Sequence, residues 1–306
     1  MMHLLISIVS CCSGERLVFA HGGVADFRGV NDSFYDIFSA PGYGLAMRTN
    51  DVTYLLPIPK YVDGSMFTQA VWTVRGRSDR HYEILMDASD GAVFVLDKGG
   101  SDPSSRATRL LAFFASGRSG VQHWSPGDGV SALRNDSVVS VRGNGWETNV
   151  TRHRVRNFMS GVYRWKLTTT ILPLVQGMRI GESHGYASRT CYPHGLVGQS
   201  FDGDGVSTSG RVDDYSSNDS SSVVTTRAMA EGAIEGVAED YVVVRPFFVR
   251  SKRSRYGRRH DDVCSPRDAL ALSGGWRAMG VASSVLPGVE SVASLFEKEE
   301  DGPLHR

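Results

Sequence analysis

Four carboxylates, Asp202, Asp204, Asp213 and Asp214, fall within one glycine-rich stretch, CYPHGLVGQSFDGDGVSTSGRVDDY, at residues 191–215. Carboxylates and backbone carbonyls held close together are what a hard cation such as calcium takes as ligands. Gly195, Gly198, Gly203, Gly205 and Gly210 interrupt the stretch too often for a helix or long strand, and they let a chain turn tightly beside a ligand. A solvated acidic loop that binds nothing is the alternative, because Asp-Gly pairs are also ordinary turn chemistry. Spacing excludes an EF-hand: with Asp202 at position 1, Val206 stands at position 5 and Ser207 at position 6, where that loop needs glycine.

Other chemistry finds less support. His21, His184 and His194 make no pair at a helical metal spacing, and no cysteine cluster resembles a zinc site. Ser200 sits in Gly-Gln-Ser-Phe-Asp and not in a G-x-S-x-G elbow. The glycine-rich stretches lack the Lys-Ser/Thr of a phosphate-binding loop and the strand-to-helix setting of a dinucleotide fingerprint. A run of Lys and Arg at residues 250–260, with Tyr256 inside it, reads as a solvated loop, a polyanion contact or a dibasic cleavage site. Over the whole chain, 33 basic and 33 acidic residues cancel, so no global field steers the protein to nucleic acid or an anionic membrane.

The elements that must position the acidic loop read as strands. Composition of 41 % hydrophobic residues with 34 glycines suits a turn-rich all-β chain. Residues 82–87 and 92–97 alternate around Asp90-Gly91, which predicts an antiparallel hairpin. Further strands are expected at 34–39, 65–76, 108–114, 137–142, 161–173 and 241–244. The strand at 161–173 has one apolar face, on which Tyr163 and Trp165 read as core. Residues 216–226 are Ser-rich and read as a loop; 228–236 holds too much glycine for a helix; 291–299 reads as a short helix.

Three blocks, in order, resemble a known group. His194-Gly-Leu-Val-Gly-Gln-Ser-Phe-Asp-Gly203 is similar to the G-L-C-G-N-F-N-G signature of von Willebrand factor type D modules, and closer to the HG-x-x-GQ of their cysteine-poor plant root-cap-type and algal secreted relatives. His21 to Gly29, with the strand at 34–39 after it, resembles the D-F-x-G block, and Ala228 to Gly236 resembles A-M-x-E-G-x-I-x-G. The resemblance implies a secreted β domain with calcium beside the glycine-rich signature. Carried over, Gln199 takes the place of the family's Asn, and Asp202, Asp213 and Asp214 take oxygen-donor places. Val197 replaces the inner cysteine, so the covalent multimer chemistry of the cysteine-rich modules does not carry over.

Residues 1–20 read as a short secretory signal peptide or, alternatively, as a buried first strand. Cleavage after Ala20 would remove Cys11 and Cys12 and leave Cys191 with Cys264, suited to one disulfide in an oxidising compartment or left as two thiols. Sequons at Asn31, Asn135, Asn149 and Asn218 fit a secreted glycoprotein. No stretch approaches a membrane span. The expected protein is an antiparallel β-sandwich-like domain over 21–265 with long loops and a helical, frayed appendage over 266–306. Its expected role is a non-catalytic extracellular binding or matrix module, with calcium as its expected stabiliser, whose partner is a protein or polysaccharide and not nucleic acid. The rival is a cell-wall polysaccharide hydrolase using Asp202, Asp204 or Asp213 as acid and base.

Overall fold

The computed structural model describes residues 15–40, 42–55, 61–98, 108–116, 120–156, 163–174, 193–201, 206–212, 223–224 and 230–243. All belong to the unit Met1–Ser265. The expected appendage at 266–306, the helix at 291–299 and all four cysteines lie outside the described residues.

The chain is mainly β, with antiparallel sheets packed against each other. An eight-stranded sheet runs as a meander through β3 (Ser33–Ala40), β4 (Tyr43–Leu55), β5 (Tyr61–Arg75), β6 (His81–Asp87), β7 (Val93–Asp97) and β8 (Arg109–Phe114), with β15 (Val242–Val243) added beside β3. β14 (Val223–Val224) pairs with β5 in parallel. A second meander, β9 (Val121–Trp124), β10 (Ser131–Asn135), β11 (Val138–Gly143), β12 (Trp146–Arg156) and β13 (Tyr163–Pro173), forms the facing five-stranded sheet. β1 (Glu15–Val18) and β2 (Val24–Phe27) make a small third sheet.

The expected hairpin is present: β6 and β7 pair antiparallel with Tyr82 opposite Asp97 and Met86 opposite Val93. Asp90 Oδ1 accepts from the Ala92 N–H at 2.8 Å, and Gly91 takes φ 67°, the left-handed geometry that favours glycine. Tyr82, Ile84, Met86, Val93 and Val95 all face the core, whose cluster draws on both large sheets.

Two polar devices tie the layers together. Thr148 on β12 is fully buried, and its Oγ1 accepts from Trp72 Nε1 at 2.6 Å and is bonded at 2.6 Å to the Tyr43 hydroxyl, which also donates to the Val141 carbonyl. Buried Glu15 accepts from the Phe67 N–H on β5 through Oε1, while its Oε2 lies 3.6 Å from Lys166 Nζ on β13. A carboxylate removed from water is tolerated when it is paired in this way. Burial still pushes the Glu15 carboxyl above its ordinary range.

The strand expected from Tyr241 begins one residue later. Tyr241 ends a 3-10 turn, Ala238–Tyr241, which Asp240 Oδ2 holds by accepting from the Val237 N–H, and Val242–Val243 then pair with β3.

Candidate functional site

The three sequence blocks converge on the outer edge of β3. β3 carries a bulge between Asp36 and Phe38, and the segment 194–197 follows the edge exposed there. His194 and Ser39 exchange backbone hydrogen bonds at 2.7 and 2.8 Å, while the Leu196 and Val197 N–H groups donate to the Asp36 and Ile37 carbonyls at 2.8 and 2.9 Å. β15 covers the same strand at Phe34 and Tyr35. An edge that would otherwise offer a row of unpaired backbone groups is closed by the chain itself. Gly195 is required here: at φ 101°, a Cβ would lie 2.6 Å from the Ile37 carbonyl carbon.

Val197 and Leu196 are both buried in the core. The Phe201 ring follows them against Phe38 at 6.0 Å and Trp146 at 5.4 Å. The Ser200 hydroxyl donates to the Val197 carbonyl and accepts from the Ala20 N–H at 2.9 Å, which joins the signature to the first block. Gln199 joins it to the third: Nε2 donates to the Leu196 carbonyl at 3.1 Å and Oε1 accepts from the Glu235 N–H at 2.7 Å. Tyr241 then donates to the Glu235 carbonyl at 2.7 Å.

Residues 206–212 lie between the first and third blocks. Gly210 donates to the Val24 carbonyl, Asp26 to that of Arg211, Arg211 to that of Glu231 and Ala230 to that of Asp26, at 3.0–3.2 Å. His21 is exposed at φ 64°, and the His194 backbone pairs with Ser39 of β3.

Of the expected metal ligands, Gln199 alone is described, with both ends of its amide engaged as above. Asp202, Asp204, Asp213 and Asp214 lie outside the described residues, as does His184. Among the described residues no group of three or more His, Cys, Asp and Glu side chains could hold a metal ion.

Asp36 was missed by sequence reasoning. Its side chain is buried, Oδ2 accepts from Ser39 Oγ at 2.9 Å, and Oδ1 has no hydrogen-bond partner among the described residues. Burial pushes its carboxyl up to about 7. Burial likewise raises the nearby Tyr241 phenol, reinforced by the Glu235 and Asp36 carboxylates. The available signal was a lone acid in the apolar strand Phe-Tyr-Asp-Ile-Phe.

The chain matches no family model, and no curated protein or solved structure is significantly similar to it. No helix among the described residues is long and apolar enough to cross a membrane.

Proposed function

We propose that the chain is a non-catalytic extracellular module that binds a protein or polysaccharide or builds matrix. The observation that carries this reading is the use made of the motif residues. Blocks far apart in sequence direct their backbone groups, and the Gln199 and Ser200 side chains, at one another, which closes a sheet edge and commits those bonds to the fold. Two of the sequon asparagines, Asn31 in a turn and Asn135 at the end of β10, are exposed, where a glycan would be accommodated. Asn149 is half-buried in β12 and accepts from Ser140 Oγ, and Asn218 lies outside the described residues.

Calcium enters this reading as a stabiliser of the loop at 199–214, held by Asp202, Asp204, Asp213 and Asp214, with Gln199 bracing the loop through Glu235. The ion would neutralise crowded carboxylates; the reading assigns it no reactive step. Export suits processing ahead of Glu15 better than after Ala20, because Leu17 and Phe19 belong to the core. A disulfide between Cys191 and Cys264 is part of the same proposal. No observation favours the hydrolase, whose proposed carboxylates lie outside the described residues.

The test is expression of the chain from Met1 in a eukaryotic secretory host, with N-terminal sequencing and intact mass of the product. Processed, exported chain is expected; unprocessed chain retained in the cytosol would overturn the extracellular reading.

A further inference from the structure

A buried acid on β3 lies beneath a lightly held segment. Tyr35 packs in the core edge-on against Phe27, so alternation turns Asp36 to the opposite face of the strand. The pairing of Val242 with Tyr35 sets Tyr241, the next residue back, beside Asp36, and the two side chains are close enough to interact electrostatically. The Tyr241 phenol donates to the Glu235 carbonyl of its own segment. Two residues of residues 235–243 pair with β3, and Glu235, Gly236, Val237 and Glu239 are exposed.

Nothing packed around Asp36 compensates a negative charge there. Oδ2 accepts from Ser39 Oγ at 2.9 Å, and Oδ1 has no hydrogen-bond partner among the described residues. On β4 the residue opposite is Ala46. Arg48 stands opposite Phe34, diagonally across from Asp36, but its guanidinium donates to Asp32 and to Gln69. The 3-10 turn Ala238–Tyr241 brings Glu239 and Asp240, and Glu235 lies near Tyr241, so that side adds acids. The turn Gly198–Ser200 brings no charge, and the segment along the strand edge brings His194, whose backbone bonds to Ser39.

We propose that residues 235–243 form a pH-released flap, closed over Asp36 while that carboxyl is protonated and lifted when it ionises. This goes beyond the binding reading and does not depend on export. A carboxylate kept from water with one hydrogen bond and no cation is disfavoured against its neutral form. When the proton leaves, the charge is solvated by water, which reaches Oδ1 once the covering segment moves. Burial holds the proton on the closed form up to about 7, with the Ser39 bond acting in the opposite direction. In the lifted form the acid is hydrated and titrates near its ordinary 3.8. The closed form therefore binds more protons between those values, so opening gains as pH rises through them and levels off above. Lifting β15 also uncovers β3 at Phe34 and Tyr35.

The experiment is residue-resolved amide exchange of the full chain from pH 5 to pH 8, in chelator and at constant salt, with rates corrected for the intrinsic pH dependence of exchange. The reporters are the Asp240 and Val242 N–H groups, which donate to the Val237 and Glu239 carbonyls. Their opening constants should rise about tenfold or more between pH 5 and pH 7.5, against a limit of about tenfold per unit. Low urea should leave them unchanged, because a local opening exposes little surface, whereas amides of β4 and β5 that exchange by global unfolding should respond. Asp36→Asn should remove the rise. Ser39→Ala, which takes away the bond favouring the charged form, should move it to higher pH. His194→Gln, which removes the neighbouring side chain that titrates near neutrality, should leave it in place.

A wild-type opening constant that does not change with pH would overturn the proposal, as would a rise that persists in Asp36→Asn or disappears in His194→Gln. A rise at Asp240 and Val242 that grows with urea in step with β4 and β5 would assign it to global unfolding and remove the flap. If Asp36→Asn does not fold, Ser39→Ala decides: an unshifted midpoint there takes the titration away from Asp36.

Discussion

Replacing Thr148 with valine should destabilise the fold through one atom. The side chain is fully buried between the sheets, valine has nearly the same shape, and the change removes only the hydroxyl bonded to Trp72 Nε1 and Tyr43. The two partners are affected unequally. Tyr43 keeps the Val141 carbonyl at 2.9 Å, whereas the indole N–H of Trp72, itself fully buried, loses the acceptor it uses. A buried donor left without a partner costs about 1–3 kcal/mol. For a domain of this size that is a melting-temperature drop of about 3–10 °C. Urea unfolding followed by tryptophan fluorescence measures it, with Thr148→Ser as the control that keeps the hydroxyl. In a Trp72→Phe background the donor is gone, so Thr148→Val should cost less there. If Thr148→Val stays within about 0.5 kcal/mol of wild type, as a surface change would, the clasp does not contribute as reasoned. An equal cost in the Trp72→Phe background would likewise refute it.

Asp36 should make stability depend on pH. Its carboxyl holds a proton in the fold up to about 7 against an ordinary 3.8, so the native state binds more protons between those values and stability falls as pH rises through them, by at most about 1.4 kcal/mol per unit. Asp36→Asn should flatten that slope in urea unfolding at pH 5 and pH 7.5; an unchanged slope places the titration elsewhere. Gly195→Ala should lower the melting temperature sharply, since both its φ of 101° and the Ile37 backbone exclude a Cβ, and a wild-type melt would show that the 194–197 segment does not lie along β3. Millimolar calcium should raise the melting temperature of wild type but not of Asp202→Ala/Asp214→Ala, and a chelator should abolish the difference. If calcium does not move the wild-type melt, that part of the proposal is wrong; equal shifts in both proteins would put the ion elsewhere.

Alternation made the β6–β7 hairpin legible, because apolar residues on every second position sort to one face. β12 was not legible in the same way. Thr148 and Arg152 occupy inward positions of that strand, where a polar residue breaks the period, and only the partners Trp72, Tyr43, Ala88 and Ser89, all distant in sequence, explain why they are tolerated. Glu15 and Glu83 were hidden for a related reason: each is buried beside a lysine, Lys166 at 3.6 Å and Lys98 at 3.3 Å, that no local pattern links to it. The glycine-rich signature was visible as a stretch that turns. Its use, closing the edge of β3 at a bulge, depends on a register irregularity that sequence does not reveal.

A binding module and a hydrolase part company over the fate of the polymer. Purified chain should be incubated at length with acidic and neutral cell-wall polysaccharides of defined chain length, and each polymer then sized and assayed for new reducing ends. The account predicts polymer retained at its original length, with no reducing ends above a protein-free control. Progressive shortening that disappears in the Asp202→Asn, Asp204→Asn or Asp213→Asn variant would contradict it.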